Sequence, residues 1–168
     1  MRFTDYLSED CICPGLTARD RGGVLHELAG MLAARTRASQ QQLEEQLVAR
    51  ERISSTAIGE GVAIPHCRSE RLRQITACVA VDPEGVDFGA RDGRPVRLFV
   101  TLASPTNAPG THLSVLARIA ALLRDVRLRQ ALMEARSASD IRTLLVRAED
   151  AYLAGQARPD ASHHASGP

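Results

Sequence analysis

At 168 residues the chain is long enough for one domain with a genuine hydrophobic core. Its 21 basic and 20 acidic residues leave a formal net charge of +1, and aromatics are only 3% with no tryptophan, so neither bulk charge nor base stacking points to nucleic acid. No apolar run approaches the about 18 residues of a membrane span, and MRFTDYLSED lacks a basic-then-apolar leader, so a cytoplasmic protein with no membrane insertion is expected.

The first fifteen residues end on the turn signal Pro14-Gly15, with a short edge strand or extended arm around Cys11 to Cys13. Thr17, three residues before Asp20, reads as a helix start, and Leu25, Leu28, Ala29 and Leu32 then share one helical face. His26 beside that face reads as a half-exposed helical histidine. Ser39 with Gln42 is a capping box that opens a second helix, which buries Leu43 and Leu47 and runs to about Arg50. From Ile58 to Ile64 the pattern gives two short extended pieces pivoting on Gly59 and Gly61.

Ile75, Ala77, Val79 and Val81 alternate with Thr76, Cys78 and Ala80, a strand with one strongly apolar face. Asp82-Pro83-Glu84-Gly85 and Asp92-Gly93 read as turns, the second with hairpin chemistry. Arg97 to Leu102 suits a central strand covered on both faces. After a proline-bearing loop, Ser104 to Gly110, a helix is expected with Thr111 as N-cap and Leu113, Leu116, Ala117, Ala120 and Leu123 on its buried side. A shorter helix covers Val126 to Ala135, and Ser137 to Asp140 opens a last one through Ile141, Leu144, Leu145 and Ala148.

Strands fall in the middle and helices at both ends. The expected fold is therefore α/β, a single domain with a central mixed β-sheet flanked by helices on both faces. It occupies residues 1–153, and 154–168, with the solvated pair His163-His164, is expected as a disordered tail. The four cysteines (Cys11, Cys13, Cys67, Cys78) make no disulfide scaffold, and Cys11-Ile12-Cys13 lacks the gap of a zinc knuckle. Neither a metal nor a cofactor is expected.

The richest stretch is Arg50 to Arg68, RERISSTAIGEGVAIPHCR. It joins two glycines, the hydroxyls of Ser54, Ser55 and Thr56, and a Pro65-His66 pair. Pro65 fixes its own φ and biases Ile64 toward an extended conformation, so His66 stands on a stiffened support. A histidine there is a candidate nucleophile, since its ordinary pKa of about 6.5 leaves it largely neutral near pH 7. An ordinary hydrogen-bonded histidine is the bland alternative.

This stretch resembles the enzyme IIA domain of the bacterial phosphoenolpyruvate-dependent phosphotransferase system, most of all its fructose/mannitol class, which includes a stand-alone nitrogen-regulatory form. The family segment R-E-x-x-S-T-G-I-G-x-G-[VI]-A-[IL]-P-H appears as Arg50-Glu51, then Ser55-Thr56-Ala57-Ile58-Gly59-Glu60-Gly61-Val62-Ala63-Ile64-Pro65-His66. The likeness continues through GVDFGARDGRPVRLFVTLASP and THLSVLARIAALL, over roughly residues 3 to 150.

The resemblance implies a phosphotransferase-type carrier whose His66 accepts a phosphoryl group from the phosphocarrier HPr and passes it to a downstream protein. By position it adds Arg50, Thr56 and His112 as site companions. Backbone N–H groups around Gly61, or at the start of the helix near His112, are expected to cradle the phosphoryl oxygens.

These 168 residues hold no HPr-like, enzyme IIB or membrane segment, so a regulatory rather than sugar-transporting carrier is expected. A sugar-specific enzyme IIA acting with separate IIB and IIC proteins, and a phosphorylation-incompetent binding module of the same fold, stay open. The departures Ala57 (for Gly) and Glu60 (for an uncharged residue such as Asn) feed the second. Cys67 in place of a small residue would make the site oxidation-sensitive if its pKa were depressed.

Overall fold

The computed structural model describes residues 1–157, so most of the expected tail, including His163-His164, lies outside the described residues. Among the described residues six strands form one mixed sheet: β1 (Leu7–Cys13), β2 (Ala57–Gly59), β3 (Val62–Ala63), β4 (His66–Ser69), β5 (Thr76–Val86) and β6 (Val96–Pro105). Their order is β1-β5-β6-β3-β2, with β4 also paired to β6. Five helices among the described residues accompany it: α1 (Arg21–Ala33), α2 (Gln40–Ile53), α3 (Pro109–Leu122), α4 (Val126–Glu134) and α5 (Ala138–Gln156), after an opening 3-10 turn at Phe3–Tyr6. Among the described residues no helix is long and apolar enough to cross a membrane.

The antiparallel pair β5–β6 is the spine, in register from Thr76↔Ala103 to Val81↔Leu98. Every residue from Thr76 to Asp82 and from Leu98 to Pro105 is buried, so both faces of the spine are covered. That corrects the expectation of a single apolar face on β5. Thr76, Cys78 and Ala80 are as buried as their alternating neighbours, because β5 lies between β1 and β6 and both α1 and α4 pack against it. Asp82 to Gly85 does not end the strand. The Asp82 Oδ1 accepts from the N–H groups of Glu84 (2.9 Å) and Gly85 (3.0 Å), which folds a bulge into β5.

Helix starts decide where the functional residues point. Asp20, not Thr17, caps α1 by accepting from Gly23 N–H at 2.7 Å, while the Thr17 hydroxyl donates to Glu27. Ser39 and Gln42 cap α2 reciprocally, as the sequence predicts, and the helix runs on to Ile53. Arg50 and Glu51 therefore sit within its last turns rather than at its end.

The sequence places the N-cap of α3 at Thr111, but the helix begins with Pro109 as its first residue, a position suited to a fixed φ and no N–H. Its buried stripe is His112, Val115, Ile119 and Leu122, rotated from the expected one; Leu113 is 65% exposed. Ser137 caps α5, which continues through Gln156 into the stretch expected as tail.

A buried carboxylate ties the two ends of the domain together. Glu149 on α5 accepts from Phe3 N–H (2.7 Å), Thr4 N–H (3.0 Å) and the Thr4 hydroxyl (2.8 Å), and pairs with Arg118 of α3 at 3.2 Å. Burial pushes the Glu149 carboxyl up, yet the bonds from Thr4 and Phe3 outweigh it and hold the group below its ordinary value.

Candidate functional site

His66 opens β4, whose parallel register against β6 sets His66 opposite Leu102. Its Nδ1 lies 2.8 Å from the Ile64 carbonyl oxygen, and its Nε2 lies 3.1 Å from Nε of Arg50. A guanidinium only donates, so Nε2 accepts and carries the lone pair, while Nδ1–H donates to Ile64. Burial first, with the Arg50 charge adding to it, holds His66 below its ordinary pKa against the opposing pull of the Ile64 bond and Glu51. The ring is thus neutral near pH 7, with one nitrogen engaged by the backbone and the other turned to a side chain.

His112 faces it from α3, with ring centroids 5.5 Å apart. Only 5% of its surface is exposed, and its Nδ1 lies 2.7 Å from the Ser104 hydroxyl. Burial, then the proximity of His66 and Arg68, pushes its pKa down to about 4, so this ring is neutral as well. Both histidines, Arg50, Arg68, Thr106 and Pro109 line one cavity of about 570 Å³. Two large apolar side chains, Ile53 (81% exposed) and Leu113 (65%), also line it and lie open to solvent.

Of the four residues singled out in the sequence, His66, Arg50 and His112 come together here. Thr56 does not reach the cavity. It is 6% exposed, its hydroxyl donates to Glu51 Oε2 at 2.6 Å and its N–H to Glu51 Oε1 at 3.0 Å. Its carbonyl accepts from Ile64 N–H at 3.0 Å, which makes it a brace under the His66 support.

Gly61 is not a cradle either. Val62 pairs with Leu98 but His66 with Leu102, four residues farther along β6 and about 13 Å away at the rise of a strand. Gly61 instead receives the Arg97 and Leu98 N–H groups on its carbonyl. The start of α3 does line the cavity through Pro109, and Ala108 provides no side-chain cap, so the first-turn N–H groups there lack a capping side chain.

The departures from the motif are accommodated. Ala57 lies in β2 outside the positive-φ residues, so its Cβ causes no strain. Glu60 adopts φ +57° at the β2–β3 tip, and its carboxylate bonds Arg94 at 2.6 Å, outside the cavity lining. Cys67 is buried, and burial pushes its thiol up to about 12, so the condition for an oxidation-prone thiolate is not met. Sequence reasoning missed Arg68. The available signal was strand period, since a residue two beyond His66 on β4 shares its face.

Residues 5–148 match the sequence profile of the family described as phosphoenolpyruvate-dependent sugar phosphotransferase system, EIIA 2. A nitrogen regulatory protein of Bradyrhizobium diazoefficiens is 37% identical over 145 residues, 86% of this chain and 95% of its own length. The fructose-specific EIIABC component of Bacillus subtilis is 31% identical over 138 residues, covering 82% of this chain but only 22% of that protein. The crystal structure of nitrogen regulatory protein IIA-Ntr from Neisseria meningitidis superposes with a TM-score of 0.81 at 34% identity, over 84% of this chain and 97% of that one.

Proposed function

The chain belongs to the EIIA 2 family of phosphoenolpyruvate-dependent phosphotransferase systems, and on that premise we propose that it carries a phosphoryl group on Nε2 of His66, received from the phosphohistidine of an HPr-type carrier. The observation that supports this most directly is the fixed state of the His66 ring. Its proton sits on Nδ1 against the Ile64 carbonyl, so a lone pair is presented on Nε2 inside a cavity that also holds a guanidinium and a second neutral imidazole.

Such a transfer asks the protein for position and charge stabilisation more than for covalent chemistry. Nε2 attacks phosphorus in line as the P–N bond to the donor imidazole breaks, and that electron pair returns to the donor ring. The Nδ1 proton stays on His66. Arg50 Nε–H must leave Nε2 as phosphorus arrives, and its Nη1 bond to the Ser54 carbonyl (2.9 Å) keeps the guanidinium within reach of the phosphoryl oxygens.

His112 Nδ1 pairs with the Ser104 hydroxyl at 2.7 Å; in the tautomer in which Ser104 donates, the ring's proton sits on Nε2, which has no partner among the described residues and can donate to a phosphoryl oxygen. Arg68 adds a further positive charge at the cavity wall. Neither Ala57 nor Glu60 intrudes, which favours an acceptor-competent carrier over a binding module.

The nitrogen-regulatory relatives match over nearly their whole length, which favours a regulatory role. Roughly two negative charges on the bound phosphoryl oxygens would then let downstream proteins distinguish the two forms. The test is incubation with labelled phosphoenolpyruvate, enzyme I and HPr. Wild type should take up acid-labile, base-stable label and His66→Ala none; an unlabelled wild type with its cognate HPr would refute the carrier reading.

A further inference from the structure

We propose that Glu51 is a positioning residue that selects the acceptor nitrogen of His66, acting through Thr56 and Ile64. The inference rests on the carrier reading and adds to it a residue that never touches the cavity. Glu51 is 4% exposed and makes no ion pair among the described residues. A buried carboxylate without a counter-ion is costly unless strong donors satisfy it. Here both donors come from Thr56, N–H to Oε1 at 3.0 Å and hydroxyl to Oε2 at 2.6 Å.

From Thr56 the path continues without a gap. Its carbonyl accepts from Ile64 N–H at 3.0 Å, and the Ile64 carbonyl accepts from His66 Nδ1–H at 2.8 Å. Hydrogen bonds in such a chain polarise one another, so the carboxylate at one end strengthens the acceptor at the other. Rigid placement matters as much. Glu51 anchors the 54–56 corner to α2, and Ile64 is held against that corner just before Pro65 stiffens the approach to His66.

Consecutive residues of one helical turn thus govern both faces of the imidazole. Arg50 acts directly at Nε2, and Glu51 acts through two backbone links at Nδ1. A purely structural role for Glu51 would fix the loop but leave the tautomer indifferent to its charge.

The experiment reads the tautomer of unphosphorylated, full-length protein by long-range 1H–15N NMR of the His66 ring, in wild type, Glu51→Gln, Thr56→Val and Thr56→Ser. Wild type should show a single Nδ1–H tautomer. In Glu51→Gln the amide can accept only one of the two Thr56 donors and the charge is gone, so the ratio of Nδ1–H to Nε2–H should fall about tenfold, the scale of one charge-assisted bond. Phosphotransfer from phospho-HPr to the same variant should slow by a similar factor, whereas Thr56→Ser, which keeps both donors to Glu51, should behave as wild type in both readouts.

Thr56→Val keeps the side-chain volume and the N–H donor, so it reports on the hydroxyl link if Glu51→Gln does not fold; its ratio should fall less but measurably. Retention of one Nδ1–H tautomer in a folded Glu51→Gln, or in Thr56→Val where Glu51→Gln is unfolded, overturns the proposal. Because the tautomer is read without phosphate, that failure is separate from failure of the carrier reading. Absence of label with a normal tautomer response would sink only the latter.

Discussion

Acid should destabilise this protein well above the pH at which carboxylates titrate, and His112 is the reason. Its ring titrates near 4 in the fold and near 6.5 in an unfolded chain. The folded value is the depressed one. Between those limits the unfolded chain takes up a proton that the fold refuses, so stability is full above about pH 6.5 and is lost as pH falls toward 4. At about 1.4 kcal/mol per pH unit, roughly 2 kcal/mol is gone by pH 5 and about 3 kcal/mol by pH 4.

His66, also held below its ordinary value by burial, adds to the loss with the same sign. The depressed carboxyls of Asp10, Asp92 and Glu149 begin to cost stability only as pH falls to their ordinary values of about 4, so the loss between pH 7 and 5 belongs to the histidines. The assay is urea unfolding at pH 7, 6, 5 and 4.5 for wild type and His112→Gln. Wild type should lose about 2 kcal/mol or more between pH 7 and 5, and the variant markedly less. Equal pH slopes in the two proteins would show that the His112 ring is not kept neutral by its surroundings.

Glu149→Ala leaves Arg118 and the Phe3 and Thr4 N–H groups unpaired, and should destabilise the fold by about 3 kcal/mol in urea; a loss below about 1 kcal/mol would mean the terminal tie is solvated. Glu60→Asn relieves a left-handed backbone at the cost of an exposed ion pair, so stability should rise by about 0.5 kcal/mol with phosphotransfer unchanged. A drop in transfer would place Glu60 in the site after all. Cys67 should resist iodoacetamide at pH 8 while the half-buried Cys13 reacts, since burial keeps the Cys67 thiol protonated; labelling of Cys67 at the rate of a free thiol would contradict its burial.

Local chemistry was readable from the sequence wherever the signal is local. The Ser39–Gln42 box, the apolar run of β6 and the Ser137 cap of α5 each state their own structure within a few residues. The Pro65-His66 pair likewise announced a histidine on a stiffened support, and His66 lines the cavity with Nδ1 held by the Ile64 carbonyl. What stayed hidden depends on partners distant in the chain. The stripe of α3 was misread because Leu113 is apolar yet lies on the cavity wall in solvent, while His112 is polar yet buried against Ser104.

Gly61 drew attention as a glycine in a motif, but only the register of β3 and β4 on β6 shows it far from His66. Thr56 and Glu51 were separable only by their bond to one another: the hydroxyl in the motif supports the site, and the neighbouring carboxylate holds that hydroxyl. Arg68 required knowing that β4 begins at His66, so that Arg68, two residues on, projects to the same side of the strand.

The central claim is a phosphoryl group on one nitrogen of one residue, and NMR of the phosphorylated, 15N-labelled protein tests it most directly. Phosphorus coupled to Nε2 of His66, with the Nδ1–H bond to Ile64 retained, is the predicted result. Phosphorus on Nδ1, or on any residue other than His66, would contradict the account.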